Sequence, residues 1–431
     1  MKTQLKVQTE EFKQTELGEF PSNWEIISLE HVIKPDRIKI KVKDFSGKEK
    51  IVKKIPFNTG KIVFRNKKGT STDLYLSDAG HLLTSKINFH QGAVAITDEK
   101  MVATTHYEFY KTLDNSDMLY LWYYFRSNHF KEIFAEEIKS RGYKKEANYK
   151  FIKDFKIPLP PIQEQKKISY VLLTIQDSIL KTKILIDSFK ELKKSIMIHL
   201  YRFGAVSFDE SDTVEIKETE VGKIPKNWDC LKLRNLTIKI KRGASKKTND
   251  KKGYVYLTSD YLTDEGIITF KNIKFLDPSE IKSSKNYLLE NFDLIVNCVN
   301  SLDKIGKTAV FEGFDKEVVI GFNNYALKLN LDIVNPYFIK YFLLGNGKKQ
   351  IQKITNPAVK QASFASNHLL NVDVPLPSLP EQQQIVSILS TIDSKIHVEQ
   401  NKQKALEGLF KSMLNELMTA KIRINNLEVG T

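Results

Sequence analysis

Cysteine is almost missing from this 431-residue chain. Cys230 and Cys298 are the only two, too few for a disulfide framework and without the CxxC spacing of a zinc or redox site. The eight histidines, at 31, 81, 90, 106, 129, 199, 368 and 397, include no HxH or HExxH pair, which argues against bound zinc. No run of about 18 uncharged apolar residues occurs, so no membrane span is expected. The first residues, MKTQLKVQTEEFKQ, lack the apolar region of a signal peptide. These absences together predict a reducing, cytoplasmic setting. Apolar residues make up 41%, enough for a folded rather than a disordered chain, and the length suits roughly two to four domains.

Catalytic signatures are missing too. Ile305-Gly306-Lys307-Thr308 ends like a phosphate loop, but that motif needs glycine where Ser301 stands. Asn335-Pro336-Tyr337-Phe338 looks like the tetrad of amino-methyltransferases with its second proline lost. It reads better as a helix start, with Asn335 as N-cap and Pro336 in the first turn. Glu-x-Lys triplets at Glu137, Glu215 and Glu280 carry no weight in so lysine-rich a chain. The expectation is a polypeptide with no catalytic site and no metal or cofactor of its own.

What is present is positive charge in two blocks. The net charge is +15. Residues 25–156 hold 25 Lys+Arg against 17 Asp+Glu, residues 229–373 hold 22 against 15, and the remainder balances. Two separated basic blocks are the footprint of a polyanion partner.

The chain also repeats itself. Residues 13–24, KQTELGEFPSNW, match residues 217–228, KETEVGKIPKNW, at seven of twelve positions. A second phrase, PLPPIQEQ at 158–165, returns as PLPSLPEQ at 375–382, 217 residues later. Proline fixes φ and keeps its predecessor out of the helical region, so PLP predicts a stiff extended segment. In the second copy Ser378 and Glu381 fit a capping box. Heptad rows follow each phrase. The first helix carries Ile168, Ile175, Thr182, Phe189, Ile196 and Leu172, Ile179, Ile186, Lys193, Leu200. The second carries Ile385, Ile392, Glu399, Leu406, Met413 and Leu389, Ile396, Gln403, Phe410, Leu417. Such rows predict a coiled coil, two equal helices pairing with each other over about 58 Å. Between the anchors the halves differ. IVKKIPF, KIVFRN and AVAIT predict strands in the first insert, before a helix DMLYLWYYFRSNHFKEIFAEEI. GYVYLT, GIITF, DLIVNCVN, KTAVF and YALKLNL do so in the second, before NPYFIKYFLLGNGKKQIQKI. The fold class expected is α+β: two strand-rich lobes of one fold joined by two long helices in an antiparallel coiled coil, with internal duplication.

This order, T-E-x-G-x-x-P-x-N-W, variable block, PLPxxxEQ and long helix, written twice, resembles the specificity subunit of type I restriction–modification enzymes. The resemblance covers nearly the whole chain. It implies target-recognition domains at 25–157 and 229–373 and spacer helices at 158–203 and 374–420. The lead-in segments are 1–24 and, with a central linker, 204–228; the tail is 421–431. It further implies that each domain reads one half of an asymmetric bipartite site in double-stranded DNA. The helices would set the spacing and dock two methyltransferase subunits, which motor–nuclease subunits join. S-adenosylmethionine, ATP and magnesium would belong to those partners.

Base readout and phosphate contact call for Lys, Arg, Asn, Gln and Ser on loops. The candidates are Lys86 and Asn88 after an apolar run, and Arg141, Tyr143, Lys144 and Lys145 in a glycine loop. In the second block they are Lys241, Arg242, Lys246, Lys247, Asn300, Ser301, Lys304, Lys360 and Gln361. The competing reading is a non-catalytic coiled-coil adaptor whose basic lobes hold RNA or acidic proteins without sequence preference.

Overall fold

The computed structural model describes residues 11–57, 59–66, 69–140, 146–245, 248–249, 252–280, 286–357 and 361–424. Its internal contacts divide the chain between residues 183 and 184 and again between 400 and 401. Each unit therefore holds one strand-rich lobe and part of both long helices.

The repeated phrases build the same frame twice. T-E-x-G makes a tight hairpin, pairing Phe12–Thr15 with Gly18–Pro21 and Ile216–Thr219 with Gly222–Pro225. Gly18 and Gly222 sit at φ +118° and +101°, where a side chain is disfavoured. The Thr15 and Thr219 hydroxyls donate to their carbonyls across the turn, at 2.6 and 2.8 Å. Trp24 and Trp228 follow, both fully buried. PLP is extended, as expected: Lys156–Leu159 pairs antiparallel with Glu25–Ser28, and Asp373–Leu376 with Asp229–Lys232. The two ends of each insert are thus fastened side by side. Two-stranded ribbons of this kind tolerate proline, which has no N–H for a further ladder.

The four-stranded sheets of the two lobes share one topology. In lobe 1 the order is Val94–Ile96, Leu82–Ser85, Tyr107–Thr112, Ile33–Pro35. In lobe 2 it is Thr308–Val310, Leu294–Asn297, Asn324–Leu329, Thr237–Arg242. Each lobe also holds a second sheet with a parallel pair, Lys50–Lys54 beside Met101–Thr104 and Tyr254–Leu257 beside Val318–Ile320. Lobe 1 extends that sheet with Leu74–Ser77 and Ile38–Ile40. GIITF, expected as a strand, contributes only an isolated bridge, Leu262 to Ile268.

Lobe 1 ends in helices α1 (Met118–Tyr124), α2 (Asn128–Ser140) and α3 (Tyr149–Ile152). One continuous helix was expected from Asp117. Ser127 divides it, because its hydroxyl donates to Tyr124 O (2.7 Å) and accepts from Phe130 N (3.2 Å), closing one helix and starting the next. The spacer helix α4 spans Ile162–Phe203. Lobe 2 ends in α5 (Pro336–Leu344), α6 (Lys348–Lys353) and α7 (Ser366–Leu370) before the second spacer α8, Leu379–Met418. Here the expected helix breaks at Gly345-Asn346-Gly347, where Gly345 takes φ −109°, ψ −107°.

The heptad rows face inward in each unit. Near lobe 1, Ile168 and Leu172 share a core with Leu417, and Phe410 and Met413 pack on it. Near lobe 2, Ile186 packs with Ile392, Ile396, Phe189 and Ile196, while Leu200, Ile385 and Leu389 enter the lobe's core. Ile175, Ile179 and Leu406 are half-buried. The start of α4 lies beside the end of α8, and the end of α4 beside the start of α8, so the helices run antiparallel. Lys193 in the apolar row is matched by Asp393 at 2.5 Å.

Candidate nucleic-acid interface

The Glu-Gln of each repeated phrase fastens a lobe to its helix. Trp24 Nε1 donates to Glu164 Oε2 (3.1 Å), and Trp228 Nε1 to Glu381 Oε2 (3.0 Å). Glu381 also accepts from Ala205 N instead of closing the expected capping box with Ser378. Glu164 takes both Nε and Nη2 of Arg423, at 2.8 and 3.0 Å. Gln165 donates to Pro160 O and Asn115 O and accepts from the N-cap amide of α1, Asp117 N, at 2.8 Å. Gln382 repeats this with Pro377 O, Ile333 O and Asn335 N, the last also 2.8 Å. Both glutamines are fully buried, so each amide satisfies groups that would otherwise be costly orphans.

With the lobes held this way, the candidate contacts among the described residues fall at one end of each four-stranded sheet. In lobe 2 the structure brings Asn300, Ser301 and Gln361 together from segments 60 residues apart. Val299–Asn300 pairs with Ala362–Ser363, and Asn300 Nδ2 donates to Asn297 Oδ1 at 3.1 Å. Asn297 in turn donates to Asn323 O and Asn324 Oδ1, giving a ladder of amides. Arg242 joins at the end of its strand, its guanidinium 4.2 Å over the Phe322 ring. Lys304 lies exposed on the Ser301 turn. Lys241 faces the other way, as strand alternation requires. Its ammonium is buried on Leu288 O (2.5 Å) and Asp293 Oδ2 (3.4 Å), where burial pushes the Asp293 carboxyl up against the pull of Lys241.

The matching end of lobe 1 is ionic. Buried Glu108 takes Arg37 at 2.5 Å and Lys86 at 2.9 Å, and both cations lie over the Tyr75 ring. The Lys86 ammonium is thus engaged internally, while Asn88 is exposed in the turn beyond it. Ala147 N donates to Lys86 O, so the segment after residue 145 returns to this edge, as 362–363 does in lobe 2. Arg141, Tyr143, Lys144, Lys145, Lys246, Lys247 and Lys360 lie outside the described residues.

Sequence reasoning missed Phe322, Asn297, Asn324 and Arg37. Sheet register alone places the first three at the edge, and nothing local distinguishes Arg37 from the neighbouring Lys34 and Lys39. The enzymatic look-alikes are accounted for structurally. Thr308 Oγ1 donates to Gly306 O, and Lys307 Nζ is held by Leu262 O (3.2 Å) and Asp264 (3.0 Å). Asn335 caps α5 by accepting from Tyr337 N at 2.9 Å. Among the described residues no cluster of His, Cys, Asp and Glu has the makings of a metal site, and no helix is long and apolar enough to cross a membrane.

A model of the type I restriction modification DNA specificity domain matches the chain twice, at residues 21–186 and 225–408. The protein assigned as the MjaX specificity subunit of Methanocaldococcus jannaschii is 32% identical over 205 residues, 47% of this chain. The chain spans about half the length of that relative, 48%. The type I restriction enzyme MjaVIII specificity subunit of the same organism is 27% identical over 317 residues, 72% of each protein. The fold is that of the type I system S subunit from M. genitalium (TM-score 0.53, 13% identity, 92% of this chain and 96% of that one). It also matches a chain solved in work on complex assembly and conformational transition of the type I R-M system (TM-score 0.54, 15% identity, 93% and 99%). With both halves matched and the duplicated frame explained residue by residue, the chain belongs to the type I restriction modification DNA specificity family.

Proposed function

We propose that this chain is the non-catalytic DNA-recognition subunit of a cytoplasmic type I restriction–modification complex. Residues 25–157 and 229–373 each read one half of an asymmetric bipartite site. The observation that carries this reading is the pair of sheet ends just described: one scaffold, built twice, carries an amide ladder with an aromatic-backed arginine in lobe 2 and an exposed Asn88 beside an internally held ionic cluster in lobe 1. Unlike chemistry on like scaffolds is what two unlike half-sites require. The basic excess of each lobe supplies the sequence-independent attraction to phosphates.

The helices set the half-site spacing and dock two methyltransferase subunits, with motor–nuclease subunits joining them. Leu173, Leu180, Ile184 and Leu192 on α4 and Val398 and Leu409 on α8 are 43–61% exposed. So many large apolar residues on two helices are expected of a surface that a partner covers. S-adenosylmethionine, ATP and magnesium are assigned to the partners.

Methylation sequencing of DNA from cells expressing the chain with its own system's methyltransferase tests the proposal. A motif of two defined parts around an undefined spacer is expected. No such motif, together with equal affinity for any polyanion, would favour a nonspecific adaptor instead.

A further inference from the structure

The geometry points to Arg242 as a base-reading residue of lobe 2 that takes a guanine in that lobe's half-site. This rests on the proposed function and adds one reader and its base.

Among the described residues four cations near this sheet end, Lys241, Lys307, Lys304 and Arg242, are not equivalent. Lys241 is buried on Asp293 and Leu288 O, and Lys307 is held by Asp264 and Leu262 O. Lys304 sits exposed on a turn, where an ammonium on a flexible stem suits a phosphate, which asks for charge more than direction. Of these four, Arg242 is the one both exposed and fixed. Its Nε donates to Phe322 O at 3.4 Å, and its guanidinium carbon stands 4.2 Å from the Phe322 ring and 5.8 Å from that of Tyr325. Among the described residues no carboxylate lies within ion-pair distance of it.

The platform beneath it is rigid. Phe322 N donates to Tyr256 Oη, and Gly321 N to Leu257 O. The backbones of Gly243 and Gly321 approach so closely that a Cβ on Gly243 would stand 2.0 Å from Gly321 O. Yet Phe322 is 39% exposed, so an apolar ring is held at the surface behind a stacked guanidinium. A planar fork fixed by stacking loses little freedom on binding. Its two outer nitrogens match the paired acceptors O6 and N7 of guanine, the commonest specific contact in the major groove. The neighbours Asn300 and Gln361 are amides, side chains that also read base edges.

The test uses the chain complexed with its methyltransferase and duplexes carrying the motif it methylates, with 7-deazaguanine, which lacks N7, substituted at each guanine in turn. Wild-type affinity should fall about 10-fold or more at one guanine of one half-site. Arg242→Ala should bind the unmodified duplex more weakly and show no further loss at that guanine, while keeping its discrimination in the other half. Arg242→Lys, which retains the charge, should keep nonspecific affinity and lose most of the discrimination. The inference is overturned if Arg242→Ala still discriminates at every guanine, if it weakens specific and scrambled duplexes equally, or if Lys serves as well as Arg. Absence of any bipartite motif for the wild type would instead remove the proposed function itself.

Discussion

At the scale of single residues, the junction of lobe 2 with its spacer contains a buried lysine that the recognition role does not use. Lys340 on α5 is 6% exposed, with its ammonium 4.1 Å from the Tyr341 ring and 5.4 Å from that of Tyr337. Burial pushes its pKa down to about 8, against the opposing pull of Asp393 and Glu312 and with a smaller push from Lys193. Asp393 is itself held by Lys193 (2.5 Å) and Tyr341 Oη (2.7 Å), and Glu312 by Tyr337 Oη (2.7 Å). Below pH 8 both folded and unfolded chains carry the proton, and the fold bears the full cost of a buried charge. Between about 8 and 10.5 the unfolded chain holds a proton that the native one has released, so stability rises with pH across that window. Lys340→Met keeps the stem and removes the charge. We expect it to stabilise the protein by about 2 kcal/mol at pH 7, after allowing for the lost ring contacts. That advantage should shrink toward zero by pH 10. Thermal unfolding of both proteins at the two pH values checks this, and an equal difference at both would refute the burial argument.

Among the elements, the spacer helices bear the clearest mechanical demand. Ile392 is buried in the seam against Ile186, Ile396 and Phe189. Ile392→Asp removes that apolar burial and leaves a carboxylate without a partner, a change that costs on the order of 3–5 kcal/mol. The expected outcome is impaired assembly with the methyltransferase or an altered spacer length in the methylated motif, with each half-site's bases unchanged. Solubility, complex formation and spacing all equal to wild type would contradict the seam's role. These helices were readable from sequence because the rows of Ile and Leu recur with a fixed period. PLP was readable as extended because proline leaves its neighbours few alternatives. Other features had no local signal. Glu164 and Glu381 turn to a tryptophan 140 and 153 residues away, and nothing in PLPxxxEQ names that partner. The break of the long helices at Ser127 and at Gly345-Gly347 depends on caps that a pattern of apolar residues overrides on paper. Lys86 and Lys241 stood out as loop-flanking cations, yet both ammoniums are engaged inside their lobes. Lysine count says nothing about which face of a strand a side chain takes.

For the whole molecule, the frame makes each lobe a replaceable unit. The insert of lobe 1 begins after Trp24 and ends at Leu159, and its two ends pair with each other in a four-residue ribbon. Its polar attachments to the frame include Gln165 to the α1 cap, Ser169 Oγ to Asp117 Oδ1 (2.6 Å), Tyr123 Oη to Gln176 Oε1 (2.7 Å) and His129 Nε2 with Leu17 O (3.1 Å), and its aromatic core packs on Ile168, Leu172 and Leu417. An insert that brings the ribbon, an N-capped first helix, a tyrosine at that place and an apolar face for Ile168, Leu172 and Leu417 reproduces the main ones. Replacing residues 29–155 with the corresponding segment of a relative should therefore give a folded chain that assembles normally. Its methylated motif should keep the lobe 2 half and the spacer and exchange only the other half. Charge supports the same division, because each insert carries its own basic excess, +8 and +7, and each should contribute separately to the salt dependence of duplex binding. Methylation sequencing of the hybrid decides the matter. Changes in both halves of the motif would mean that the lobes read DNA as one coupled surface rather than as two independent readers on a shared frame.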